Sequence, residues 1–185
     1  MIDFTVIIHI NADENFLHRC LRSVISQSLF GRKFEVILVG PGDYTSYERA
    51  FEKYIPIKSL SYKDGINFNK IILASAGRFI SILNSSDYIS DHLFFTQLLT
   101  LHDNIEIQGV YCNYILVDLN ENKLMKLQPR DEHCLFGIMV RVEAVSKLLK
   151  NENASSIKDV ESLLDSLRRN LDLILLPISF YRKLV

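Results

Sequence analysis

Apolar residues in the first half of this chain form short unbroken runs, and between the runs they recur every three or four positions. Residues 4–10 and 34–39 are continuous rather than alternating, as expected of strands covered on both faces. Between them Phe16, Leu17, Cys20, Leu21, Val24 and Ile25 keep helical spacing. Asn11 with Glu14 three residues on has the form of a capping box for that helix. Gly40, Pro41, Gly42 and Asp43 make a strong turn signal after the second run. The pattern then predicts a short polar helix over 45–54, a strand over 57–62, a helix over 67–76 stopped by Gly77, and a strand over 78–83. Ser90 is placed to cap a helix running to about His102. This alternation of strand and helix predicts a parallel, doubly wound sheet.

The second half changes character. Residues 110–118 and 123–128 flank a turn at 119–122 and read as a hairpin. A strand over 135–141, helices over about 142–150 and 157–170, and a closing strand over 171–177 follow. No repeat or linker divides the chain, so a single domain of 185 residues is expected, with a nucleotide-binding-like half (1–105) and a mixed, acceptor-like half (106–185).

Charge narrows the function classes. With 21 basic and 22 acidic residues the formal net charge is −1, so no global field draws the chain to nucleic acid. Cys20, Cys112 and Cys134 are scattered without metal-ligand spacing, as in a reducing compartment. The N-terminus has no signal-peptide pattern and no run approaches the ~20 apolar residues of a membrane helix. A cytoplasmic protein is expected. The apolar segment 175–185, carrying Arg182 and Lys183, leaves peripheral attachment to the inner membrane face open beside its reading as a last strand and exposed end.

In an open α/β sheet, ligands collect at the carboxyl ends of the strands. Here those ends are 9–13, 40–45, 62–69 and 84–87. The residues around them resemble family 2 glycosyltransferases of GT-A fold. The resemblance lies in residues 6–28, above all the helix Cys20-Leu-Arg-Ser-Val-Ile-Ser-Gln-Ser28. It continues in the second strand at 34–39, in Gly65 to Asn69 and Ala76 to Ile80, in 83–88 where the family carries its Asp-x-Asp motif, in Asp159-Val-Glu161, and in the segment from Leu176 to Tyr181 and Arg182. The implied fold is GT-A-like, a mainly parallel central sheet flanked by helices with a mixed hairpin half. The implied activity is inverting transfer of a sugar from a nucleotide-sugar donor to a saccharide or lipid-linked acceptor in surface polysaccharide synthesis.

The same resemblance assigns candidate residues. Asn11, Asp43, Asn69, Asn84, Ser86 and Asp87 would line the donor site, and Asp159 would be the general base, with Glu161 as the alternate. Each has a plainer reading: Asp87 as a loop carboxylate helping to start the next helix, Asn69 as a helix-start polar residue, Asp159 as an N-terminal helix carboxylate facing the dipole. His133, in the loop 129–133, would border an acceptor cleft or be solvated. His9 reads as a hydrogen-bonded core residue, and Phe94, Phe95, Tyr111 and Tyr114 as packing.

The departures change the chemistry expected. The family's Asp at the end of the second strand, which binds the uracil ring, is replaced by Gly40-Pro41, with Asp43 displaced. The Asp-x-Asp positions read Asn84-Ser85-Ser86, and only Asp87 keeps a carboxylate. Hard cations such as Mg²⁺ or Mn²⁺ select carboxylate oxygens, so Asp87 alone is a weak metal anchor. Metal-free stabilisation of a leaving diphosphate would need cations, for which Lys70, Arg78, Arg130 and Arg141 are available. Two functions therefore stand: a glycosyltransferase whose activity is weak or metal-independent, and an inactive relative retained as a binding or scaffolding module, partnered with an active transferase. A flavodoxin-like or response-regulator-like module does not fit Gly40-Pro41 or the hairpin half. The donor sugar, linkage and oligomeric state are not legible.

Overall fold

The computed structural model describes residues 1–10, 15–62, 65–127, 135–151, 157 and 159–185. The calls on Asn11, Arg130, His133 and Cys134, and the capping box at Asn11 and Glu14, lie outside the described residues. The first half contains β1 (Phe4–His9), α1 (Leu17–Ile25), β2 (Phe34–Gly40), α2 (Thr45–Phe51), β3 (Ile57–Ser61), α3 (Phe68–Ala74), β4 (Phe79–Asn84), β5 (Tyr88–Ile89) and α4 (Leu93–Asp103). The second half contains β6 (Gly109–Val117), β7 (Lys123–Leu127), β8 (Ile138–Arg141), α5 (Val142–Asn151), α6 (Val160–Asn170) and β9 (Leu173–Leu184).

One sheet joins both halves in the order β3-β2-β1-β4-β8-β6-β9-β5, with β7 beside β6. The β3-β2-β1-β4 section is parallel throughout, and β6 pairs β9 in parallel. The joints of β8 with β4 and β6, of β5 with β9 and of β7 with β6 are antiparallel. The continuous runs of β1 and β2 are buried along almost their whole length, because helices cover both faces of a parallel sheet. Leu17, Cys20, Leu21 and Val24 of α1 are buried, as their spacing requires.

Three local predictions are corrected. Gly77 does not stop a helix, since α3 ends at Ala74. A Cβ at position 77 would lie 2.4 Å from the backbone of Phe4, so glycine is needed where the chain crosses β1. Ser90 does not cap α4. That helix begins after His92, at φ 70°, while the Ser90 hydroxyl donates to the carbonyl of Phe180 in β9 at 3.0 Å. The last strand does not stop at Pro177. Leu173 to Leu176 pair with Gly109 to Cys112, four residues including Pro177 bulge out, and Tyr181 to Leu184 rejoin opposite Tyr114 to Val117. Proline has no N–H for the ladder and falls where the ladder is broken.

A buried polar network fastens β1, β2 and β3 to the end of α3. Glu35, 6% exposed, accepts from Thr5 Oγ1 (2.9 Å), Lys58 Nζ (2.9 Å) and the Ala76 N–H (2.7 Å). Burial opposes its ionisation, but these donors outweigh burial and hold its pKa below the usual carboxylate value.

Candidate active site

The parallel strands β1, β2, β3 and β4 point their carboxyl ends to one edge. There the Ile10 amide donates to Val39 (2.8 Å), the Tyr62 amide to Gly40 (3.2 Å) and the Ser85 amide to the His9 carbonyl (2.9 Å). These bonds hold the strand-end loops together. A cavity of about 510 Å³ opens at the ends of β2 and β3, lined in part by Val39, Ser61, Tyr62, Asn67, Lys70 and Ile71. Another of about 500 Å³ lies between α1 and α2, at His18, Arg22, Phe51 and Tyr54. None of the strand-end residues lines that one, so the first is the better candidate for a ligand.

At the end of β1, His9 is 7% exposed. Its Nε2 is 3.3 Å from the Tyr62 hydroxyl, and its Nδ1 has no hydrogen-bond partner among the described residues. Burial lowers its pKa, while the carboxylates of Glu161 and Asp159 act in the opposite direction. Those two carboxylates are thus within electrostatic reach of the β1 end. Tyr62 in turn is raised by burial, by Tyr44 and by Glu161. The N-terminus of α6 therefore stands over the same edge as His9, Tyr62 and Tyr44.

The two acids on α6 are differently engaged. Asp159 is the N-cap: its Oδ1 accepts from the Ser162 amide at 2.7 Å, and the Ser162 hydroxyl accepts from the Asp159 amide at 3.1 Å. Satisfying these helix-end donors is a structural task. Glu161 is exposed in the first turn, and no described residue hydrogen-bonds or ion-pairs with its carboxylate.

The donor-site candidates are spread over distinct tasks. Asp43 is exposed, and its Oδ1 accepts from the Thr45 amide (3.0 Å) and hydroxyl (2.5 Å), starting α2. Those bonds lower its pKa. Asn69 is exposed on α3; Asn67, which caps α3 by accepting from the Lys70 amide, reaches the cavity with Lys70. Asn84 Oδ1 accepts from the Ser86 amide and hydroxyl, both at 3.1 Å, closing an Asx turn. Asp87 is 3% exposed. It accepts from the Tyr181 hydroxyl (2.6 Å), the Leu184 amide (3.0 Å) and the Ser86 hydroxyl (3.3 Å).

Of the three described cations named as diphosphate partners, Lys70 stands at this edge. Arg78 and Arg141 belong to the opposite one. The Arg78 amide donates to Asp3, before β1, and the Arg141 guanidinium donates to the carbonyls of Leu101 and Ile107. Arg19 was not anticipated. It lies between the rings of Phe16 and Tyr88 and donates from Nη2 to the Ser86 carbonyl at 2.9 Å. Only the spacing of Phe16 and Arg19 on one helix face hinted at this. Tyr44 and Tyr62 lie in the strand-end stretches 40–45 and 62–69, but nothing in their spacing singles them out.

The family implied by the sequence uses a divalent cation, and the described residues do not fit one. Among them no group of three or more His, Cys, Asp or Glu side chains converges on a point. The loop that would hold the ion offers the neutral oxygens of Asn84 and Ser86 and the fully engaged carboxylate of Asp87.

The model of glycosyl transferase family 2 matches residues 5–150, which include all four parallel strand ends. This chain belongs to glycosyl transferase family 2. No curated protein matches it. Among solved structures, S. aureus TarS 1-349 superposes with a TM-score of 0.74 at 16% identity, covering 99% of this chain and 60% of that one. The TarS 1-349 structure in complex with UDP-GlcNAc gives 0.72 at 17% identity, covering 100% and 59%, and the complex with UDP gives 0.70 at 17%, covering 100% and 61%. At this identity the likeness is one of fold, and the GT-A-like architecture expected from the sequence is the architecture present. The chain spans about three-fifths of the length of those TarS structures. No described helix of this family 2 chain is long and apolar enough to cross a membrane.

Proposed function

We propose that this chain is the donor-binding and catalytic part of an inverting glycosyltransferase that moves a sugar from a uridine-diphosphate donor to a saccharide or lipid-linked acceptor in surface polysaccharide assembly. The observation that carries the reading is that Glu161, for which the described residues offer no hydrogen-bond or ion-pair partner, lies within electrostatic reach of His9 and Tyr62 at the carboxyl ends of a β3-β2-β1-β4 parallel sheet. The structural likeness to TarS, solved with UDP and with UDP-GlcNAc, supports the donor class.

Glu161 is the better base. A carboxylate that removes the acceptor hydroxyl's proton must be able to turn toward it, and among the described residues nothing holds Glu161 while Asp159 caps the helix. The deprotonated oxygen attacks the anomeric carbon, and the bond to the nucleoside diphosphate breaks on the opposite face with inversion. The cavity beside Tyr62, Asn67 and Lys70 takes the nucleotide. Lys70 supplies the positive charge there that a leaving diphosphate needs.

A second reading rests on a specific observation: Asp43, Asn84 and Asp87 all spend their side chains inside the protein. A module that binds a nucleotide sugar without transferring it, partnered with an active transferase, fits that economy. Incubation with radiolabelled UDP-GlcNAc and membrane saccharide lipids decides between them. Transfer that disappears in Glu161→Gln supports the enzyme. Donor binding without transfer or hydrolysis supports the module.

A further inference from the structure

The loop at 84–87 has one carboxylate, and its bonds run to Ser86 and to the end of β9. Asp87 Oδ2 accepts from the Tyr181 hydroxyl at 2.6 Å, and Oδ1 accepts from the Leu184 amide and the Ser86 hydroxyl. The Tyr181 hydroxyl also lies 3.4 Å from the Asn84 amide, so one phenol holds both ends of the loop. The Tyr181 ring packs over Gly137, where a Cβ would come within 2.5 Å of it. Tyr181 and Leu184 belong to the part of β9 that rejoins the sheet after its bulge. That stretch pairs on its free side with only the two residues of β5.

We infer that Asp87 is the clamp that fixes the end of β9 to the 84–87 loop, and that this loop takes no divalent cation. A cation ligand must turn an oxygen toward the ion, and Asp87 would have to release a buried phenol and a part-buried amide to do so. Leaving such donors unsatisfied is costly. The other side chains of the loop bring neutral oxygens, which hard cations do not select over water. The loop and the end of β9 therefore form one mechanical unit.

The test does not depend on the identity of the donor. In amide NMR spectra of the wild-type chain, equimolar Mn²⁺ is added alone and then with UDP. A cation at Asp87 would broaden the Ser86 and Leu184 signals beyond detection. Both signals are expected to persist under each condition, and their selective loss would overturn the inference. The clamp is read by hydrogen exchange at the Leu184 amide. Asp87→Ala, and Tyr181→Phe, which keeps the ring over Gly137, should each speed that exchange roughly tenfold or more. Unchanged protection in Tyr181→Phe would contradict the clamp, even if Asp87→Ala fails to fold. UDP binding is scored separately by calorimetry, so failure of the donor assignment and failure of the clamp are told apart.

Discussion

A Cβ placed on Gly40 would stand 2.3 Å from the hydroxyl oxygen of Tyr44, a side chain only 1% exposed. Tyr44 also accepts from the Gly42 amide at 3.1 Å, which fixes its hydroxyl over the end of β2. The sequence resemblance would put a uracil-binding carboxylate near Gly40-Pro41; what the structure shows beside Gly40 is the ring of Tyr44.

Gly40→Ala should therefore destabilise the chain by about 1–3 kcal/mol through overpacking. In a Tyr44→Ala background the same change should cost less, with only the 3.0 Å approach to Ile10 Cβ remaining. A double-mutant cycle of urea midpoints measures the coupling.

His9 predicts a pH dependence. Its folded pKa is lowered by burial, so the unfolded state binds more protons below the ordinary histidine value of ~6.5. The stability it contributes is present above that value and is lost as pH falls toward the folded pKa. The groups facing it are Tyr62 from the loop after β3 and Glu161 and Asp159 from α6. Denaturant midpoints should fall from pH 7 to pH 5.5 in the wild type, and His9→Gln should flatten that limb.

Glu35 governs a second limb further down. Its folded pKa is depressed, so its contribution is present above the unfolded carboxylate value of ~4.3 and is lost as pH falls through the folded one. Glu35→Gln should cost about 1–3 kcal/mol at pH 7, by weakening the Lys58 bond and facing a donor to a donor. It should also flatten the acid limb below pH 4.5 and leave the His9 limb intact.

The strands that carry the site were legible because burial on both faces leaves a local signature: β1, β2 and β4 are mostly apolar without strict alternation, each with a buried polar residue (Thr5, Glu35 or Ser81). The second half of β9 was not, because Pro177 reads locally as a stop, and only pairing with β6 and the Asp87 bonds show that the strand resumes. β5 escaped notice for the same reason, being two residues held by β9. At the site, order along the chain singled out Asp159 and Glu161 as candidates. That Asp159 is spent on a helix cap is a matter of side-chain geometry, as is the turn of Asp87 toward Tyr181.

The two acids of α6 should separate cleanly. Glu161→Gln is expected to lower turnover by about 10²–10⁴-fold, the usual worth of a general base, without changing donor affinity or melting. Asp159→Ala should remove about 0.5–2 kcal/mol of stability through the lost cap and leave most of the turnover measured at low temperature.

The most direct measurement of the central claim is the melting of the wild-type chain with UDP and UDP-GlcNAc in EDTA. Ligand at 100 times its dissociation constant should add about 2.7 kcal/mol of stability without metal, and Tyr62→Ala, at the mouth of the cavity, should weaken it. No shift with any nucleotide sugar, with or without Mn²⁺, would contradict the account.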